Sequence, residues 1–172
     1  ASRPIAWLRL LRPHQWLKNV FVLAGLLFGR LWHQTDLVHL ALLSAAAFCL
    51  ASSAVYVLND WLDRHDDALH PRKRHRPLAS GVISGTEGAT LGLACLGGAA
   101  WLASQTTPIF MGLLAAYLLL NTAYTWRLKL VPVVDVFISA AGFMLRLLAG
   151  TWAISIQPSH WLLLTGLFVT LF

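Results

Sequence analysis

Five stretches of this 172-residue chain run for close to twenty residues with very little charge: 14–31, 37–58, 88–104, 108–126 and 133–154. A helix needs about 20 mostly apolar residues to cross the hydrocarbon core of a bilayer. The stretches therefore predict an all-α, polytopic membrane helix bundle. A sixth apolar run begins near Trp161 and is still apolar at Phe172, so the bundle is expected to continue in a longer protein. Residues 2–12 alternate basic and apolar side chains. They read either as an interfacial helix or as a plain juxtamembrane anchor. The expected organisation is one transmembrane domain over 1–172, with a juxtamembrane segment at 1–13.

Only 12% of the residues are charged and 58% are hydrophobic, against roughly 25% charged in an average soluble domain. On such a chain a net charge of +6 speaks for membrane topology and phosphate binding, not for nucleic acid. Eleven of the thirteen Lys and Arg fall on one side of the expected spans, in the N-terminal segment and the 59–87 and 127–132 loops. Arg30 stands on the other side and Arg146 inside a span. The positive-inside rule makes the eleven-base side cytoplasmic. Arg9, Arg12 and Lys18 interrupt the N-terminal region, which is therefore not expected to be a signal peptide. Cys49 and Cys95 lie in apolar runs without metal-ligand spacing and read as packing thiols.

The charge is concentrated at the end of the second run. Asp60, Asp63, Asp66 and Asp67 place four of the seven acids within eight residues, and Arg72, Lys73, Arg74 and Arg76 follow. Asp60, Asp63 and Asp67 are spaced i, i+3, i+7, which on one continuous helix puts them within about 60° of arc. Carboxylates stacked in this way repel unless a cation sits among them. Oxygen-only donors, with Asn59 adjacent, favour Mg²⁺, which keeps waters and shares phosphate oxygens. An acidic cluster beside a basic one, at the mouth of a membrane helix, is what a metal-bridged diphosphate needs. The alternative is a solvated loop whose acids pair with its own arginines. His70-Pro71 is expected to end the acidic helix.

A second cluster, Tyr124, Arg127, Lys129 and Asp135, falls on the same side. Asp135 opens an apolar run, where the helix dipole alone would favour an acid. Arg146 lies 11 residues further on, about three turns deeper on a similar face. Ionisable residues inside a membrane are costly and usually functional, although Arg146 also reads as a structural pairing residue. Lys18 and Asn19 enter the first run together, either snorkelling to the interface or contacting phosphate.

Asn59-Asp60-x-x-Asp63-x-x-x-Asp67, with Arg76-Pro77-Leu78 and Gly81 behind it, resembles the first aspartate motif of the UbiA superfamily of intramembrane prenyltransferases. Tyr124-x-x-x-x-Lys129-x-x-x-x-x-Asp135 is similar to the matching second motif. Arg12-Pro-His-Gln-Trp-Leu-Lys18-Asn19, the run His70 to Pro77 and the run Gly142 to Gly150 most resemble the decaprenyl-phosphate phosphoribosyltransferase branch. The resemblance implies a bundle of about nine transmembrane helices around a central cavity, of which this chain would carry the first five and part of the sixth. It implies Mg²⁺-diphosphate held by both motifs, with Asp60, Asp63, Asp67 and Asp135 as metal ligands. It also implies the bacterial inner membrane, with the site facing the cytoplasm. In the similar branch the donor is phosphoribosyl diphosphate and the acceptor a polyprenyl phosphate. The second motif here is sparse: Asp135 alone matches a carboxylate where other branches show two, which fits fewer metal ligands and more basic ones.

The expected reaction is transfer of 5-phosphoribose to a polyprenyl phosphate. Asp60, Asp63, Asp67 and Asn59 would hold Mg²⁺ and the leaving diphosphate. Lys73, Arg74, Arg76 and Lys129 would bind phosphate oxygens, beside Tyr124 of the second motif, and Arg146 or Lys18 would take the lipid phosphate. Two other readings stay open: transfer of a polyprenyl group from its diphosphate to an aromatic or haem-like acceptor, and a non-catalytic lipid transporter. Two phosphorylated substrates need more cationic contacts than one prenyl diphosphate and a neutral ring.

Overall fold

The computed structural model describes residues 3–126 and 132–171, and all regular structure among them is helical. The elements are α1 (Arg3–Leu11), a 3₁₀ stretch (Pro13–Leu23), α2 (Ala24–Phe28), α3 (Thr35–Leu62), α4 (Arg64–Leu69), α5 (Gly85–Ser104), α6 (Pro108–Trp126), α7 (Pro132–Ala153) and α8 (His160–Leu171), with a single 3₁₀ turn at Lys73–His75. Three of these helices are long and apolar enough to cross a membrane: α3, α6 and the Val133–Ala153 part of α7. This is the pattern of an integral membrane protein. The expected span at 88–104 does form a 20-residue helix, α5, but its five glycines and Glu87 keep it out of that set. The same glycines let α5 lie close along α3. An added Cβ would come within 3.0 Å of Leu50 at Gly98 and 3.3 Å of Val57 at Gly92, the small-residue packing used between membrane helices.

The first run does not form the single helix expected over 14–31. Arg12 turns the chain in a left-handed conformation (φ 51°), and Pro13–Leu23 then winds as 3₁₀ before passing into α2. At about 2.0 Å per residue in 3₁₀ and 1.5 Å in α, residues 13–28 reach about 30 Å, the thickness of a bilayer core. The three-residue period also sorts the side chains. Trp16, Asn19 and Val22 face inward: Trp16 Nε1 donates to Ser53 Oγ at 2.9 Å, and the other two are fully buried. Gln15, Lys18 and Phe21 form the next face, where Gln15 accepts from the Tyr56 hydroxyl and Phe21 meets the edge of Phe143 at 5.1 Å. His14, Leu17 and Val20 are exposed. In an α-helix each such triplet would rotate about 60° out of line every three residues.

The core is built in three layers along α3. At one end Ala6 and Leu10 of α1 pack on Val57, Leu78 and Ile83. In the middle, Phe48 meets Phe110 at 5.8 Å and Tyr117 at 5.1 Å, among alanines of α3, α5 and α7. At the far end Leu26, Ala41 and Ile154 close the bundle. Thus α1 lies across the end of α3 that carries the acids, its Arg3 pairing with Glu87 at the start of α5. Ser84 caps α5 in a reciprocal capping box with Glu87, a pattern that supplies two otherwise orphan N–H groups with acceptors. The Ser84 N–H and hydroxyl hold the Glu87 carboxyl below its usual range.

The helix carrying the acids is not continuous. It ends at Leu62, Asp63 sits at the break (φ −84°, ψ 0°), and α4 restarts at Arg64. As expected, α4 ends before Pro71, with His70 extended (φ −86°, ψ 129°).

Candidate active site

Asp60 lies in the last turn of α3 and Asp67 in α4, on either side of the break at Asp63. Their carboxylates converge on one guanidinium: Arg76 Nη1 donates to Asp60 Oδ1 at 3.1 Å and to Asp67 Oδ2 at 2.7 Å. Arg12 Nη2 donates to the same Asp60 oxygen at 2.7 Å, with its guanidinium over the Tyr56 ring. Lys73 Nζ stands 3.8 Å from Asp67 Oδ1. Asp60 and Asp67 are 2% and 3% exposed, so removing one partner strands a buried charge, at a cost of about 3–5 kcal/mol. The pairing of loop acids with loop arginines therefore does occur, through Arg76. Arg12 joins it from 48 residues away.

The single-face stack of three carboxylates expected from the spacing is replaced by this arrangement across the helix break. Asp63 is half-buried at the break itself. Arg72 and Arg74 are exposed. Arg127 and Lys129 lie outside the described residues.

Beside the cluster, a cavity of about 300 Å³ lies between the 3₁₀ stretch, α3, α6 and α7. Its α7 wall is one helical face, Asp135, Ile138, Ser139, Gly142, Phe143 and Arg146, extending about 16 Å at 1.5 Å per residue. Lys18, Asn59 and Tyr124 also line it, so the fold gathers five of the expected site residues around one space. Arg12 lines it too and links it to the acids. The Tyr124 hydroxyl donates to the exposed Asp135 carboxylate.

Arg146 is 6% exposed. Its Nε donates to Asn19 Oδ1 at 2.8 Å, Nη1 to the Gly142 carbonyl at 2.9 Å and Nη2 to the Tyr117 hydroxyl at 3.0 Å. Asn19 is itself aimed by donating Nδ2 to Ser52 Oγ at 3.3 Å and Cys49 Sγ at 3.4 Å. Every acceptor on Arg146 is neutral, so its charge stays uncompensated by any described carboxylate. A buried cation in this state favours an anionic ligand. Sequence reasoning left Tyr56, Tyr117 and Asn121 out of the site, because uncharged residues within apolar runs give no signal. Arg12 and Asn19 had one, since they bound the Arg12–Asn19 motif.

The donor set suits a divalent cation. Asp60 and Asp67 offer only oxygens, both aimed at one positive group, and Mg²⁺ is commonly held by one or two carboxylates together with substrate phosphates. The expected four-carboxylate set is not gathered: among the described residues, no three His, Cys, Asp or Glu side chains form a metal-binding group. A cation here would complete its shell from diphosphate and water.

A membrane bundle whose paired arginines and aspartates open onto a polar cavity with a buried arginine matches one family in sequence as well as in shape. The chain belongs to the UbiA prenyltransferase family, whose sequence profile matches residues 19–172. It is similar to the decaprenyl-phosphate phosphoribosyltransferases of Corynebacterium glutamicum, 36% identical over 96% of this chain and 51% of the relative, and of Mycobacterium tuberculosis, 36% identical over 94% and 55%. The nodulation protein NoeC of Azorhizobium caulinodans is 37% identical over 93% and 52%. The chain thus spans about half the length of the curated relatives it matches. A solved UbiA homologue from Archaeoglobus fulgidus, bound to GPP and Mg²⁺, superposes with a TM-score of 0.79 at 22% identity, over 96% of this chain and 60% of that one.

Proposed function

We propose that this chain carries substrate-binding machinery of a Mg²⁺-dependent transferase. The enzyme moves 5-phosphoribose from phosphoribosyl diphosphate to a polyprenyl phosphate at the cytoplasmic face of a bacterial inner membrane. One observation carries the reading: a single cavity has two regions suited to phosphates, the charge-paired Arg12 and Asp60–Arg76–Asp67 cluster beside it, which takes diphosphate together with its cation, and Arg146, whose charge no described carboxylate balances. A prenyl diphosphate and a neutral ring would use only the first. The similarity to phosphoribosyltransferases acting on decaprenyl phosphate supports the second as a lipid-phosphate site.

Asp60 and Asp67 would hold Mg²⁺, with Asp63 at the helix break and Asn59 and Asp135 on the cavity wall meeting it through its waters. When bound, Mg²⁺ supplies charge neutralisation to the departing diphosphate. Arg12, Arg76 and Lys73, with Arg74 and Lys129 from the loops, bind phosphate oxygens through charge-assisted hydrogen bonds. Tyr124 orients Asp135. Arg146, with Lys18 from the 3₁₀ stretch, holds the lipid phosphate so that one of its oxygens meets the anomeric carbon. That oxygen forms the new C1–O bond while the C1–O bond to diphosphate breaks, and the bonding electrons leave with diphosphate. The anomeric centre develops oxocarbenium character as diphosphate leaves.

The test is diphosphate release by the full-length protein in detergent, supplied with Mg²⁺, polyprenyl phosphate and either phosphoribosyl diphosphate or a prenyl diphosphate. Release is expected with phosphoribosyl diphosphate and should stop in EDTA. Release from the prenyl diphosphate with an aromatic acceptor would instead assign prenyl transfer. Lipid binding without release from either donor would assign a transporter.

A further inference from the structure

The carboxylates proposed to meet the metal are already neutralised. Arg76 Nη1 sits between Asp60 and Asp67 at 3.1 and 2.7 Å, and Arg12 adds a 2.7 Å contact to the same Asp60 oxygen. Two buried negative charges thus face two guanidinium charges, with the more exposed Lys73 Nζ as a third cation 3.8 Å from Asp67 Oδ1. Both arginines are only partly exposed, at 22% and 28% of their side chains, so water screens these pairs weakly. A divalent cation arriving alone would add two positive charges to a buried cluster whose carboxylates are already compensated, which is strongly unfavourable. A diphosphate arriving alone would find its arginines engaged by carboxylates. When cation and diphosphate arrive together, their charges largely cancel: the carboxylates turn to the cation and the guanidiniums to phosphate oxygens, which planar Arg binds bidentately.

We propose that Arg12 and Arg76 are exchangeable counter-ions of Asp60 and Asp67, so that divalent cation and diphosphate enter the site as one coupled unit. This rests on the metal–diphosphate reading of the site and gives Arg12 a binding role in it. Arg12 is suited to the exchange. It lines the cavity, it stands over Tyr56 at 4.9 Å from the ring centroid, and its backbone is held at positive φ between α1 and the 3₁₀ stretch. Non-glycine residues in that conformation cost energy, and they cluster at ligand clamps and switch regions.

The experiment uses the full-length protein in detergent, with Mn²⁺ as the spectroscopic substitute for Mg²⁺, and measures binding by electron paramagnetic resonance with and without inorganic diphosphate. In the wild type, diphosphate is expected to tighten Mn²⁺ binding by roughly 10- to 100-fold, the effect of one or two charge-assisted contacts. Arg76→Gln should tighten Mn²⁺ binding in the absence of diphosphate and shrink the enhancement that diphosphate gives. Arg12→Gln should do the same to a smaller degree, because it touches one carboxylate instead of two. Both arginine variants binding Mn²⁺ alone no more tightly than wild type, with the diphosphate enhancement intact, would overturn the exchange. Asp60→Asn and Asp67→Asn separate the two ideas. If they leave Mn²⁺ binding unchanged, the metal reading itself fails. If they abolish it while the arginine variants behave as wild type, only the exchange fails. Should Arg76→Gln not fold, Arg12→Gln alone decides the question by the same two readouts.

Discussion

Arg146 concentrates the site's chemistry in one side chain. It holds Asn19, Tyr117 and the Gly142 carbonyl together and keeps a charge that none of them cancels. Arg146→Gln should therefore raise the KM for polyprenyl phosphate by roughly 10- to 100-fold, the loss of a charge-assisted phosphate contact. The KM for phosphoribosyl diphosphate should move much less, and steady-state kinetics with each substrate varied in turn checks the split. Equal shifts in both would remove Arg146 from the lipid-phosphate role. Its presence was legible as a lone ionisable residue in an apolar run. Its partners were not, since Asn19 lies 127 residues away and Tyr117 is one aromatic among many apolar neighbours. Likewise the spacing of Asp60, Asp63 and Asp67 pointed to a charged site, but no Pro or Gly marks the break at Asp63 that sends Asp60 and Asp67 to a shared arginine.

Between elements, α7 and the 3₁₀ stretch approach closely at Gly150. A Cβ on Gly150 would overlap the Val22 carbonyl and lie 2.6 Å from its carbon. Gly→Ala inside a helix ordinarily gains up to about 1 kcal/mol. Here backbone opposes backbone, so Gly150→Ala should destabilise by about 1–3 kcal/mol, as overpacking does. It should also weaken the Asn19–Arg146 contact, which bridges the same two elements. Gly97→Ala, where nothing lies within 4 Å, should be neutral or stabilising. Thermal unfolding of both variants in one detergent tests the pair. Hydropathy alone reads Pro13–Leu23 as part of an ordinary spanning helix. The 3₁₀ winding follows from tertiary contacts on both of its faces, which local sequence does not encode.

For the molecule as a whole, the fold brings α1, the acidic break, the loop to α5 and the Arg3–Glu87 pair to one end, with Arg30 in the turn before α3 at the other. By the positive-inside rule the first end should be cytoplasmic. A cysteine at exposed Gln34 should react with an impermeant reagent on intact cells, and one at exposed Thr86 only after permeabilisation. Equal reaction at both would overturn this topology. The membrane bundle and its charged end were legible because twenty-residue apolar runs and clustered bases are local patterns. The polar cavity was not, being formed by four segments that meet only in the folded chain. The three-residue period of Pro13–Leu23 has a last consequence, for how such a protein can vary over generations. Losing or gaining one residue there would shift Lys18 and Asn19 off their faces together. Descendants of this gene can exchange side chains along the stretch, but they cannot change its length without dismantling the cavity wall and the Arg146 cradle in one step.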